Sequence, residues 1–224
     1  MTGEAGIEAF ISRWQGREGG QERANYGMFL SELCAAIGVP APDPAAATTS
    51  ENDYVLERAV KLRGPDGTAS NGRIDLYKRG CFVLEAKQSR ETRGKPKFVE
   101  THERQMPPPP DARPVARGRR GAGRSWDVLL QNARNQAETY AKALPADHGW
   151  PPFILVCDVG HVIEVFADFS GQGKNYVQFP DRNHFRVYLE DLRQPDIVDR
   201  LRRIWTDPLS LDPARHAARV TRDI

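Results

Sequence analysis

The 224-residue chain is 39% hydrophobic and 28% charged, with 32 Lys/Arg against 30 Asp/Glu and a net charge of +2. That balance fits one domain, or a domain with an appendage, and excludes a chain too polar to bury a core. No apolar run nears the roughly 20 residues that span a bilayer, and the acidic N-terminus "MTGEAGIEAFISRW" lacks the apolar centre of an export signal, so the expected location is cytoplasmic, with no membrane partner.

In chain order, Ile7, Phe10, Ile11 and Trp14 share one helical face. A second helix is expected over about 21–37, with Tyr26, Phe29, Leu30, Leu33 and Ile37 on its stripe and Gly38 and Pro40 ending it. Residues 53–62 alternate as a strand, and the turn-rich 63–72 connect it to "RIDLYKRGCFVLEAKQ" (73–88), which reads as two strands around a Lys-Arg-Gly turn. From Ser89 to Arg124 there are ten Lys/Arg against four Asp/Glu, a net of +6. With Pro107–Pro110 inside it, the segment 89–125 is expected to be a flexible basic insertion.

Helical periodicity returns from Trp126 to Leu144. A strong hairpin follows over 152–169, turning near Val159-Gly160, and "KNYVQF" and "HFRVYL" can add strands. Residues 194–206 form a short helix. The expected class is therefore α/β (α+β), a central mixed sheet flanked by helices. Cys34, Cys81 and Cys157 lie far apart in apolar runs and read as reduced core residues.

The charges inside the central hairpin carry the functional question. Asp75 and Glu85 stand five positions to either side of Gly80, so a turn centred there sets them opposite each other. Opposed residues have Cβ atoms about 5 Å apart. Two carboxylates that close repel unless a cation or proton relieves them. Lys87 shares the strand face of Glu85. Ile74, Leu76, Phe82, Leu84 and Ala86 are expected on the other face, with Tyr77, Cys81 and Val83 supplying apolar bulk around the charges. Two carboxylates, a lysine and a basic segment suggest phosphodiester hydrolysis with a hard divalent cation such as Mg²⁺ (or Mn²⁺). A solvated face of an edge hairpin is the plainer alternative.

Asp75-x9-Glu85-Ala86-Lys87, followed by a helix carrying Gln136-Ala-Glu-Thr-Tyr140, resembles the PD-(D/E)xK nuclease fold, with Ile74 where the family has its proline. "GRIDLYKRGCFVLEAKQ", "QNARNQAETYAKALP", "GWPPFILVCDVGHVIEVFADFSGQGKNYVQFP" and "LRRIWTDPLSLDPARHAARVTRDI" together resemble the N-terminal region of MmeI-like type IIL restriction-modification enzymes. The resemblance implies a DNA endonuclease domain over 1–193. Residues 194–224 would begin a helical connector to an adenine DNA methyltransferase and a target-recognition domain beyond this chain. It also implies a role in restriction-modification or phage defence. Asp75 and Glu85, with the carbonyl of Ala86, match metal ligands, and Lys87 matches the catalytic lysine.

Gln136 and Tyr140, one helical turn apart, are supporting candidates, as is Glu22, aligned with the inward stripe of the second helix. Arg90, Arg93, Lys95, Lys97, Arg117, Arg119, Arg120 and Arg124 are candidates for contact with double-stranded DNA. "WPPF" (150–153) has Trp where adenine methyltransferases need Asn or Asp, so S-adenosylmethionine would act only through downstream domains. A catalytically degenerate nuclease fold that binds DNA or docks on the methyltransferase is the alternative from another class.

Overall fold

The computed structural model describes residues 3–17, 22–63, 67–89 and 118–215, with the backbone alone given for 22–23 and 118–125. Helices α1 (Glu4–Trp14) and α2 (Glu22–Ile37) precede strands β1 (Tyr54–Arg63), β2 (Ala69–Lys78) and β3 (Phe82–Lys87). Helix α3 (Gly118–Lys142) leads to β4 (Phe153–Asp158), β5 (Val162–Ala167), β6 (Val177–Gln178) and β7 (Arg186–Tyr188), and α4 (Pro195–Thr206) follows. All seven strands join one sheet in the order β1-β2-β3-β4-β5-β6, with β7 also on β5. Of the pairs between these described strands, β3–β4 alone is parallel, because α3 carries the chain back across the sheet between them.

The sheet is covered on both faces. On one, α1, α2 and α4 bury Ile11, Trp14, Phe29, Leu33, Ile204 and Trp205 against Phe82, Leu84 and Leu155. On the other, α3 buries Trp126, Leu130, Ala133 and Ala137 against Val83, Ile154 and Val156. β3, β4 and β5 are buried along almost their whole length, as strands covered on two sides must be. The α2 end follows from its sequence: the Gly38 and Val39 amides close back on the Ala35 and Cys34 carbonyls, and the chain turns out at Pro40.

The helix expected at the start of a connector, α4, sits in the main core. Trp205 is fully buried and its ring centroid lies 4.4 Å from that of Phe82. Its indole N–H donates to the Tyr54 hydroxyl at 3.1 Å, and its carbonyl accepts from the Cys81 thiol at 3.4 Å.

Three sequence expectations need correction. β2 begins at Ala69, not near Arg73, because polar Ser70, Asn71 and Gly72 are held in a ladder against Leu62, Lys61 and Val60. Helix α3 begins at Gly118, so residues 118–125 belong to it and not to the basic insertion. Ile74 and Cys81 also lie on the faces opposite to those expected: Ile74 packs with Tyr77 and Val83 beneath α3, whereas Cys81 packs with the α4 side.

The cause of the Ile74 exchange lies at Glu57. Its φ is +55°, a left-handed conformation rare for a non-glycine residue. Leu56 pairs with Leu76 and Arg58 with Ile74, so Glu57 stands opposite Asp75 at the point where both strands change face. Leu56 and Leu76 look toward α2, while Val60 and Ile74 look toward α3. Beyond the change, the fully buried Arg58 lays its guanidinium 4.6 Å from the Tyr77 ring centroid and donates to the Thr49 and Asn52 carbonyls. Tyr77 in turn hydrogen-bonds His148 Nδ1 at 2.7 Å.

If α4 is part of the folding unit, Trp205→Ala removes a fully buried indole from the centre of the core. A loss of about 3–5 kcal/mol in unfolding free energy is expected, measured by urea denaturation. A loss below about 1 kcal/mol would mean that α4 is an appendage.

Candidate active site

The hairpin turn is centred on Gly80, whose φ of +69° suits the tight Lys78–Cys81 turn. Register follows from it: Lys78 faces Phe82, Tyr77 faces Val83 and Leu76 faces Leu84. Continued by one step, that register sets Asp75 against Glu85, as the turn position requires. The regular β2–β3 pairs stop at Leu76–Leu84, however, while β3 runs on to Lys87 against β4. The two strands therefore fork. At the fork the Asp75 carboxylate accepts the Ala86 amide N–H at 2.7 Å, standing in for the backbone acceptor that β2 no longer supplies.

Glu85 is buried to 2% exposure, and its Oε1 accepts from Lys87 Nζ at 2.7 Å. A carboxylate so far from water is tolerable because the ammonium is held against it. Asp75 and Lys87 both line a cleft of about 640 Å³ that opens from the fork. Its walls also include Tyr26, Glu57 and Arg73, together with Gln136 and Tyr140 from α3. Gln136 Nε2 donates to the Tyr140 hydroxyl at 2.8 Å, so the two supporting candidates form one hydrogen-bonded unit on the cleft wall.

The structure thus brings together Asp75, Glu85, Ala86, Lys87, Gln136 and Tyr140. Glu22 lies in the first turn of α2, outside the residues with described side chains. Arg90, Arg93, Lys95, Lys97 and Arg117 lie outside the described residues, and Arg119, Arg120 and Arg124 fall on the α3 backbone.

Three features escaped the sequence reading. Glu57, held by the Tyr26 hydroxyl and by Arg73 at 3.4 Å, puts a further carboxylate on the cleft. Arg73 itself lines the cleft. Asp158, fully buried at the end of β4, accepts from Ser89 N, Ser89 Oγ and Trp126 Nε1 at 2.7–2.8 Å. It is the parallel-strand partner of Lys87. One carboxylate therefore ties the chain just after β3 to the inner face of α3. An alternating strand pattern offered no signal for Glu57. The sequence marks Asp158 only as a charge closing the apolar run "PFILVCD".

Any cation held at the fork would be a hard one. Asp75, Glu85 and the Ala86 carbonyl would offer it oxygen donors, and Mg²⁺ is commonly held by one or two carboxylates with water and phosphate oxygens completing the shell. Among the described residues no three His, Cys, Asp or Glu side chains gather as a metal-binding group, so no all-protein cage is formed there. No helix among the described residues is long and apolar enough to cross a membrane.

Tyr140 reaches its place because β2 has no side chain beneath it. A Cβ added to Gly72 would sit 2.5 Å from Tyr140 Cε1 and 3.2 Å from Val60 Cγ2. Gly72→Ala should displace the Tyr140 wall and destabilise the fold by about 1–3 kcal/mol. Urea denaturation together with the Tyr140 ring resonances checks this. An unshifted ring and unchanged stability would show that the wall is loosely packed.

The family model described as MmeI, N-terminal domain, matches residues 4–224 of the chain. No curated protein and no solved structure matches it.

Proposed function

The chain belongs to the MmeI N-terminal domain family, and on that premise we propose that it is the metal-dependent DNA endonuclease domain of a restriction-modification enzyme, built on a PD-(D/E)xK fold. The observation that supports this most is the fork itself. Asp75 stands at the point of strand separation and lines one cleft with Lys87, Gln136 and Tyr140, and the buried Glu85 is ion-paired to Lys87 behind it.

Asp75, Glu85 and the Ala86 carbonyl are the groups that would hold Mg²⁺ or Mn²⁺. When bound, the ion supplies a polarised phosphoryl oxygen and a more acidic water. The rest belongs to the chain. Lys87 brings a positive charge to the cleft, where it orients the attacking water and stabilises negative charge developing on the phosphate. Glu85 fixes the direction of that ammonium, and burial strengthens their interaction relative to water. Asp75, tied to the Ala86 amide, keeps β2 and β3 at a constant separation across the reacting position. The Gln136–Tyr140 unit orients the phosphate from the opposite wall.

Substrate choice would rest elsewhere. The partners in this reading are duplex DNA and a downstream methyltransferase with its target-recognition domain, through which alone S-adenosylmethionine would act. A second reading, a cleavage-dead module that binds DNA or docks on the methyltransferase, draws on the same ion pair, since it engages Glu85 and Lys87 with each other.

Lys87→Ala should lower Mg²⁺-dependent cleavage of plasmid DNA by at least about 100-fold, read as loss of the supercoiled form. The thermal midpoint is measured alongside, because the substitution also removes the cation held against Glu85. Cleavage at the parental rate by a folded Lys87→Ala chain would reject the assignment.

A further inference from the structure

A second groove adjoins the cleft on the same side of the sheet. It has a volume of about 420 Å³ and is lined by Lys61, Leu62 and Arg63 of β1 and by Thr139, Lys142 and Ala143 at the end of α3. The two depressions share their supports. Lys61 pairs across the ladder with Asn71, which lines the cleft, and Thr139 precedes Tyr140, which also lines it.

The groove gathers three cations, Lys61, Arg63 and Lys142, with no acid among them. Elsewhere several exposed cations are matched by acids: Arg13 with Glu32, Arg79 with Asp53 and Asp147, and Arg193 with Glu8. Lys61, Arg63 and Lys142 form no ion pair with any described residue. Three like charges around one groove repel one another unless an anion offsets them.

From this we infer that the groove of Lys61, Arg63 and Lys142 is a track for the duplex backbone, holding the phosphates that flank the one presented to the cleft. The inference rests on the nuclease reading for its direction, since the groove leads out of the site where the phosphodiester would react. Lys61 and Arg63 are two residue steps apart along β1, about 7 Å. Phosphates of one strand recur every 3.4 Å or so along the helix axis, so the groove spans a few consecutive ones. Its lining holds no aromatic ring on which an unstacked base could lie, which favours paired over single-stranded DNA. Contacts of this kind fix position and carry no sequence information.

The test is duplex binding by the whole chain in EDTA, where cleavage cannot contribute, followed by fluorescence anisotropy of a short labelled blunt duplex. Each phosphate contact contributes about 0.9 to the slope of log affinity against log salt. Lys61→Ala/Arg63→Ala/Lys142→Ala should therefore reduce the slope by about 2.7 and shrink the affinity lost between 50 and 200 mM salt by about 40-fold. Lys174→Ala/Arg182→Ala, exposed near β6 at the far side of the sheet, should leave the slope unchanged.

An unaltered slope in the triple variant overturns the inference, and so does an equal loss in the distal variant or an absence of wild-type binding. These results are separable from the nuclease reading. A chain that cuts DNA and loses cutting on Lys87→Ala, yet keeps its slope in the triple variant, retains the active site and loses only the track.

Discussion

The carboxylate of Asp75 on the amide of Ala86 is the contact on which the arrangement of the site depends. Two antiparallel strands that stayed paired would bury the space between them under backbone hydrogen bonds. Here the pairing ends at Leu76–Leu84, and β3 continues with β4 as its partner. The exposed N–H at the fork must find an acceptor, and a side chain provides it. The cost of opening a sheet is thereby offset at the one place where opening creates a cleft. The same fork brings Lys87 to the wall of that cleft, while Glu85, held against the Lys87 ammonium, stays behind the wall almost without solvent.

A second constraint lies one strand away. Glu57 adopts φ +55° directly opposite Asp75, and both strands exchange faces there. A non-glycine residue in that region costs on the order of 1–3 kcal/mol. Its carboxylate is taken by Tyr26 and Arg73, and Arg58 next to it is driven inside onto Tyr77. The exchange lets β1 and β2 pack against α2 near the hairpin turn and against α3 at the far end. Because of it, Gly72 lies beneath Tyr140, and Asn71 and Arg73 border the cleft. Asp158 does comparable work on the other side, holding Ser89 and Trp126 to the end of β4.

Much of this was legible in the residues. Gly80 fixed the hairpin centre, and the centre gave the register of Lys78–Phe82, Tyr77–Val83 and Leu76–Leu84 that leads up to Asp75 and Glu85. The period of two put Lys87 on the side of Glu85, and the 3.6-residue period put Tyr140 on the inner face of α3. What the pattern could not carry was the face exchange, because strict alternation assumes one unbroken strand. Ile74 was misplaced for that reason. Ser70, Asn71 and Gly72 read as turn residues, yet the ladder with Lys61 and Leu62 overrides their low strand propensity. The Gly- and Arg-rich start of α3 carries no apolar stripe, so its helix was invisible before Trp126. The family resemblance rested on four segments between Gly72 and Ile224, and the family match spans residues 4–224.

The central claim is that the fork holds a hard divalent cation through Asp75 and Glu85. Calorimetric titration of the chain with Mg²⁺, and with Mn²⁺ as a second probe, tests it without relying on cleavage. The account predicts saturable binding by the parental chain and its loss in a folded Asp75→Ala variant. Equal binding by both, or none by the parental chain, would contradict it.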